Sequence, residues 1–171
     1  DERVFVIVSD ALRYEAGVEL AEKLNNETIG ECKIESMLGV IPSATKFGMA
    51  ALLPHKEIDV DSNLQVMVDG NNSSGLNNRH KILQNNIPES IALQYKDIIN
   101  MNKMERRDTV KGKKLIYIYH DTIDAVGDSP ATEINTFNAV EDTLEQIHGL
   151  VRIIQGDLSG INICITSDHG F

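Results

Sequence analysis

The sequence predicts a three-layer α/β/α sandwich with a mostly parallel sheet. Short, near-continuous apolar runs alternate with segments of helical periodicity, in the order βαβα, a loop-rich insertion, and βαβ. Buried parallel strands have this uninterrupted apolar character, whereas strands with one solvated face alternate. A further observation, that three of the runs end in Asp or His, indicates where a functional site would lie.

The first half of the chain is predicted to contain two strands that each lead into a helix. In order, the elements are a strand at Val4 to Ser9, a helix from Ala11 to about Asn26, a strand at Ile34 to Ile41 and a helix from Phe47 to Leu53. Asp10 directly follows the first strand, and the turn Pro42-Ser43-Ala44-Thr45 follows the second. Gly30 and Pro54 are typical stop signals for the two helices.

Ser43 and Thr45 place two hydroxyl groups at a strand-to-helix junction. Ser and Thr are common N-caps, so the pattern alone favours capping over catalysis. A helix N-terminus also offers unpaired N–H groups and a positive potential that suit a phosphate-like anion. Both interpretations stay open at this point.

The second half begins with residues 55–80, whose Gly, Asn and Ser content predicts a surface loop around one short strand at Leu64 to Val68. The later elements are a short helix at 81–86, a strand at Ile91 to Tyr95, a charged helix at 97–109, a strand at Leu115 to Tyr119, a long helix from Ser129-Pro130 to about Gly156, and a strand at Ile161 to Ile165. The long helix is the clearest, because its apolar residues follow helical spacing throughout.

Three predicted strands end in carboxylate or imidazole side chains. These residues are Asp10 after the first strand, His120, Asp121 and Asp124 after the strand at 115–119, and Asp168 and His169 after the last strand. The carboxyl ends of parallel strands lie at one edge of an open sheet, so we expect these side chains to converge. Oxygen and imidazole ligands without a nearby cysteine suit Zn, Mn or Mg. With the Thr45 or Ser43 hydroxyl beside them, two divalent ions would support displacement at phosphorus.

Length and composition predict one cytoplasmic domain. The 171 residues include 16 basic and 26 acidic side chains, and the formal charge of −10 argues against a surface that wraps duplex nucleic acid. Cys32 and Cys164 show no paired spacing and are expected to be free thiols in a reducing compartment. No apolar run approaches the roughly 18 residues of a membrane span, so no membrane partner is expected. The start at Asp1 is not a natural initiator and predicts an excised domain.

Several segments together resemble one protein family. They are VFVIVSDALRYE, IPSATKFGMAALLP, the VDG and NR signals between residues 68 and 79, YIYHDTIDAVGD and TSDHGF. In this order, and over essentially the whole chain, they are similar to the PglZ domain of the alkaline phosphatase superfamily, found in bacterial and archaeal phage-defence systems of the BREX and phage-growth-limitation type. The resemblance implies an alkaline phosphatase-like fold that spans residues 1–171 as one domain.

The resemblance also implies a function and a site. The implied activity is that of a metal-dependent phosphohydrolase, a phosphomonoesterase or phosphodiesterase, with two divalent ions: Zn first, Mn or Mg as alternatives. The implied nucleophile is Thr45, with Ser43 in reserve. The implied ligands are Asp10, Thr45, Asp168 and His169 for the first ion, and His120 and Asp124 for the second, with Asp121 as a supporting or alternative ligand. The second ion normally takes a further histidine from beyond the Asp-His-Gly, so residues 1–171 are expected to be cut on the C-terminal side and to hold an incomplete second site.

The expected partners are a phosphate ester substrate, with nucleotides and nucleic acids among the candidates, and other phage-defence proteins. The main alternative is a catalytically degenerate superfamily member that serves as an interaction or regulatory module of the defence complex. A sulfatase or phosphomutase of the same fold is a third interpretation. Sulfatases need a modified Cys or Ser in a Cys/Ser-x-Pro-type motif, which the turn at 42–45 does not match.

Overall fold

The computed structural model describes residues 3–121 and 133–170, with residues 133–137 described by their backbone alone. The strands are β1 (Val4–Ser9), β2 (Ile58–Val60), β3 (Val66–Val68), β4 (Asn71–Asn72), β5 (Ser90–Gln94), β6 (Leu115–His120) and β7 (Asn162–Thr166). The helices are α1 (Tyr14–Glu27), α2 (Thr45–Ala51), α3 (Leu76–Asn86), α4 (Tyr95–Asn100), α5 (Lys103–Thr109) and α6 (Glu133–Leu158).

Four strands form one sheet in the order β5-β6-β1-β7. All three pairings are parallel, so the carboxyl ends of the four strands lie at the same edge. The register aligns Val4 with Leu115 of β6 and with Asn162 of β7, and it aligns Ser9 with His120 at the other end. Within the described sheet, β5 and β7 are the outer strands.

Helices cover both faces of this sheet. On one face, Phe5, Ile7 and Ile118 pack in a core with buried residues of α1 and α6. On the other face, Val8 and Tyr119 pack with buried residues of α2 and α3. Because both faces of β1 and β6 are enclosed, their sequences are apolar up to Ser9 and His120, the last residue of each strand. The predicted three-layer α/β/α sandwich with a mostly parallel sheet is confirmed.

The insertion between α2 and α3 contains a small antiparallel sheet, β2-β3-β4. Val66 and Val68 of β3 are buried in the core on the α2 and α3 face, which anchors the insertion to the domain. The two-residue turn between β3 and β4 is Asp69-Gly70, and both residues have positive φ, 47° and 75°. Asp-Gly is a strong signal for such a hairpin turn, but only the strand before it was predicted.

The strand predicted at Ile34 to Ile41 is wrong. Residues 31–40 form no regular secondary structure, and the side chains of Met37 and Leu38 are 68% and 98% exposed. Strand-forming residues make a strand only where a neighbour completes the hydrogen-bond ladder. No described strand pairs with this segment, so it forms no strand despite its β propensity.

The charged helix predicted at 97–109 is two helices, α4 and α5. The Asn102 side chain accepts hydrogen bonds from the N–H groups of Met104 and Glu105, and the Glu105 carboxylate accepts from the N–H of Asn102. This capping box begins a new helix and separates it from α4. The short helix predicted at 81–86 is the longer α3, which begins at Leu76. The start predicted at Ser129-Pro130 lies outside the described residues.

Two predictions from composition can be compared with the structure. Cys32 and Cys164 are both free thiols, as expected. Over residues 3–121 and 133–170, no helix combines the length and the apolar character needed to cross a bilayer.

Candidate metal centre and nucleophile

Three side chains meet at the carboxyl edge of the sheet, which we call the carboxylate–imidazole cluster: Asp10, Asp168 and His169. Each offers a ligand atom within 4.8 Å of the other two. His169 Nε2 lies 3.5 Å from Asp10 Oδ1 and 3.4 Å from Asp168 Oδ2. The side chains of Asp10 and Asp168 are only 8% and 0% exposed, so two carboxylates are largely removed from water. Burying carboxylates is costly unless a cation or hydrogen-bond donors compensate for their charge.

The hydrogen bonds of His169 indicate what this compensation is. Its Nδ1 lies 3.1 Å from the carbonyl oxygen of Gly170. A carbonyl only accepts, so Nδ1 carries a proton, and in the neutral ring Nε2 directs a lone pair towards the carboxylates. Asp168 Oδ2 is buried and makes no hydrogen bond to a described residue. A proton on Nε2 or a divalent cation would balance the negative charge of the two carboxylates. The carboxylate oxygens and the imidazole nitrogen are ligand atoms that suit Zn²⁺ or Mn²⁺.

Thr45 brings a hydroxyl to the same cluster. Its Oγ1 lies 3.0 Å from His169 Nε2. Thr45 is the first residue of α2, whose N-cap is Ala44 and has no side-chain capping hydrogen bond. The interpretation that Ser43 or Thr45 caps this helix is therefore wrong, because the cap falls between them. Ser43 lies exposed on the turn before the helix.

The turn after β1 fixes the orientation of Asp168. The Ala11 N–H donates to Asp168 Oδ1 at 3.2 Å, which leaves Oδ2 beside His169. Ala11 has a φ of 61°, a left-handed conformation that costs a non-glycine residue about 1 kcal/mol. Such strain persists where surrounding contacts enforce it, and here the enforced turn lies between Asp10 and α1.

Gly48 allows α2 to lie against the Asp168 backbone. A Cβ atom at position 48 would come within 2.2 Å of the Asp168 carbonyl oxygen and 2.8 Å of the Asp168 Cβ. No side chain fits in this space, so the close approach requires glycine. The approach brings the first turn of α2, with Thr45, to His169. Gly48 was not among the predicted site residues, although a glycine three residues after a candidate nucleophile in a small-residue helix was a usable signal.

His120 lies at the same edge but outside the cluster. The residue is 1% exposed. Its Nδ1 is 3.2 Å from Ser9 Oγ, and its Nε2 is 2.7 Å from Gln146 Oε1. Burial lowers the pKa of His120, which favours the neutral ring. Sequence patterns gave no indication of Ser9 or Gln146.

The other residues predicted for a second ion are not brought to the cluster by the described structure. The side chain of Asp121 is 56% exposed, and its Oδ1 lies 3.8 Å from Lys96 Nζ. Asp124 lies outside the described residues. Of the predicted first-site residues, Asp10, Thr45, Asp168 and His169 are brought together.

Comparisons with known proteins agree with the fold. The chain matches the family described as "BREX system PglZ alkaline phosphatase-like domain" over residues 1–171. It is 49% identical over 171 residues to the "Alkaline phosphatase-like protein PglZ" of Bacillus cereus (strain H3081.97), covering 100% of this chain and 20% of that protein. It is 42% identical over 172 residues to the "Alkaline phosphatase-like protein BrxZ" of Escherichia coli O9:H4 (strain HS), covering 99% of this chain and 20% of that protein. The chain thus spans about a fifth of the length of these curated relatives. The chain belongs to the PglZ family of alkaline phosphatase-like domains.

Proposed function

We propose that this chain carries the nucleophile and the first metal site of a metal-dependent phosphohydrolase. Thr45 is the nucleophile, and Asp10, Asp168 and His169 hold a divalent ion, Zn²⁺ first and Mn²⁺ or Mg²⁺ as alternatives. The observation that carries the proposal is the 3.0 Å distance between Thr45 Oγ1 and His169 Nε2, at the rim of two buried carboxylates. A hydroxyl in this position suits covalent catalysis at phosphorus.

The chemistry divides between the ion and the chain. When bound, a divalent cation polarises phosphoryl oxygens and promotes ionisation of a neighbouring hydroxyl. Asp10, Asp168 and His169 fix its position. Thr45 Oγ1 attacks phosphorus and gives up its proton to water, the Oγ1–P bond forms, and the ester oxygen leaves with the bonding electron pair and takes up a proton from water. Water then hydrolyses the phosphothreonine and returns a proton to Oγ1.

The proposed substrate is a phosphate monoester or diester, with nucleotides and nucleic acids among the candidates. The proposed partners are other proteins of the phage-defence system, because the matched family is described by its BREX system. The formal charge of −10 disfavours tight non-specific binding to duplex nucleic acid. A second ion at His120, Asp121 and Asp124 is a prediction from the family resemblance alone and is not part of this proposal.

The test uses the full-length native chain that contains these residues, loaded with Zn²⁺ or Mn²⁺. Turnover is measured with p-nitrophenyl phosphate and bis(p-nitrophenyl) phosphate, which separate monoesterase from diesterase activity. Thr45→Ala removes the attacking oxygen, and we expect it to lower turnover by about 10³-fold or more. Unchanged turnover in this variant would exclude Thr45 as the nucleophile.

Two variants in the same turn act as matched controls. Thr45→Ser keeps a hydroxyl and is expected to retain part of the turnover. Ser43→Ala is expected to retain most of it, and the reverse pattern would transfer the role to Ser43. If the metal-loaded native chain hydrolyses neither ester, the interaction or regulatory module becomes the preferred function.

A further inference from the structure

The side chain of His120 bonds to two other elements of the fold. His120 is the last residue of β6 and aligns with Ser9 of β1, so the two side chains extend to the same face of the sheet. That face is covered by α1 and α6, and Gln146 reaches the imidazole from α6. The Tyr95 ring packs edge-on against the imidazole, with centroids 4.8 Å apart.

The ring has little remaining capacity to bind a metal ion. Because Gln146 Oε1 accepts at 2.7 Å, Nε2 carries the proton of the neutral ring. Nδ1 then accepts from the Ser9 hydroxyl at 3.2 Å. Ligation through either nitrogen would break one of these bonds inside a site that is 1% exposed. Histidine ligands in metal sites keep one nitrogen for the ion and use the other for a supporting hydrogen bond.

The same contacts lead to Asp10. Ser9, which bonds the His120 ring, directly precedes Asp10, and the Asp10 N–H donates to the His120 carbonyl oxygen at 2.8 Å. His120 therefore holds two successive residues of the β1 end, one through its side chain and one through its backbone. Gln146 fixes the ring in turn. The strained Ala11 turn begins immediately after these anchors.

We propose that Ser9, His120 and Gln146 form a hydrogen-bonded relay that positions Asp10 for metal binding, and that His120 is a positioning residue and not a ligand of a second ion. The inference rests on the metal-binding part of the proposed function and does not depend on ester hydrolysis. It assigns roles to Ser9 and Gln146, which lie outside the carboxylate–imidazole cluster. It also predicts that the cluster's metal affinity depends on a residue of α6.

The experiment measures Zn²⁺ affinity of the full-length native chain by competition with a chromogenic chelator, in the absence of substrate. Gln146→Ala removes the acceptor for His120 Nε2, and we expect Zn²⁺ affinity to fall about tenfold, as for other residues that orient metal ligands. Gln146→Glu keeps an acceptor oxygen and is expected to restore most of the affinity. Gln155→Ala, on the same helix and bonded to the Ile29 carbonyl, is the matched control and should leave the affinity unchanged.

The competing role of His120 as a ligand gives a different result. If His120 is a ligand, His120→Asn removes a bound equivalent of Zn²⁺, measured by elemental analysis, instead of only weakening the affinity. That outcome would overturn the inference, and so would a wild-type chain that binds no Zn²⁺. If Gln146→Ala weakens Zn²⁺ binding but the wild-type chain hydrolyses no ester, the relay stands and the phosphohydrolase proposal fails.

Ser9→Ala provides an independent variant of the relay. It removes the donor to His120 Nδ1 and leaves the rest of the imidazole contacts in place. We expect a loss of Zn²⁺ affinity similar to that of Gln146→Ala, and the double variant should lose less than the product of the two single effects, because both act through His120. Fully multiplicative losses would contradict a shared relay.

Discussion

Two histidines lie at the carboxyl ends of neighbouring parts of the same sheet edge, yet their contacts differ. His169 lies in the turn beyond β7, with Nε2 beside two carboxylates and the Thr45 hydroxyl. His120 is still part of β6, and its ring is enclosed by Ser9 and Gln146. The difference is one of position along the chain: a residue inside a strand must follow the strand's alternation, whereas a residue beyond it can turn back over the edge. Residue type at a strand end does not by itself identify a ligand.

The largest expected effect comes from disturbing the contact between Gly48 of α2 and the Asp168 backbone, next to His169. In Gly48→Ala, the new Cβ would meet the Asp168 carbonyl oxygen at 2.2 Å, so Asp168 and α2 must separate. We expect a loss of about 4 kcal/mol in the free energy of unfolding, measured by urea denaturation, and loss of bound Zn²⁺. Gly149→Ala is the control: nothing lies within 4 Å of the added methyl, and alanine should stabilise α6 by about 0.5 to 1 kcal/mol. Equal behaviour of the two variants would contradict the tight packing of α2.

The next effect compares the two histidines directly. His120→Ala leaves a buried space and removes both imidazole hydrogen bonds, so we expect about 3 kcal/mol of destabilisation in urea denaturation. His169→Ala should cost much less stability in metal-free buffer. The substitution removes an unfavourable contact between the imidazole nitrogen Nε2 and the buried carboxylate oxygens of Asp10 and Asp168. If His169→Ala lowered the free energy of unfolding more than His120→Ala, the enclosed His120 ring would not be the histidine that stabilises the fold.

Adding Zn²⁺ tests whether the residues of the carboxylate–imidazole cluster bind the ion. Zn²⁺ at 100 times its Kd should stabilise the wild-type chain by about 2.7 kcal/mol, because only the folded state holds the cluster. We expect Asp168→Ala and His169→Ala to lose this increment, and Gln155→Ala to keep it. The measurement is thermal unfolding with and without Zn²⁺, after removal of metal with a chelator. A full increment in Asp168→Ala would place the ion elsewhere.

The smallest effect uses a third histidine, His80, a partly buried imidazole away from the cluster. Burial, with a contribution from Lys113, lowers the pKa of His80, and its Nδ1 accepts from the Ala92 N–H at 3.0 Å. The unfolded state therefore binds a proton more readily, so stability is present above the ordinary pKa of 6.5 and is lost as pH falls below it. We expect His80→Gln to reduce the pH 7 to pH 5 loss in unfolding free energy by less than about 1 kcal/mol. A larger loss in the variant would contradict this sign.

The sequence was most informative where local pattern and global fold agree. β1 and β6 are apolar on both faces and end with β7 at one edge, so the sheet and the convergence of Asp10, Asp168 and His169 could be predicted from periodicity and the parallel-sheet rule. The long helix α6 could be predicted because its apolar residues follow helical spacing. β1 and β6 contribute residues to both cores, and α6 covers the core on the α1 face.

The failures have identifiable physical causes. The segment at 34–41 has strand propensity, but propensity supplies no partner for the ladder. Asn102 and Asp69-Gly70 carry capping and turn signals, but they lie inside a charged segment and a loop-rich segment whose composition predicted one helix and a loop. The burial of His120 depends on Gln146, a residue far along the chain, and no local pattern reports such a contact. Thr45 was ambiguous because a hydroxyl near a helix start serves capping and catalysis equally well until the cap residue is known.

The open side of β7 has a consequence for handling this domain in solution. No described strand hydrogen-bonds to that side, and the apolar side chain of Ile161, which directly precedes β7, is 80% exposed. A strand edge of this kind is a template on which a second molecule can add a strand, and apolar flanks strengthen that association. Concentrated samples of residues 1–171 should therefore form intermolecular β-structure on storage, and a lysine introduced at Ile161 should delay it.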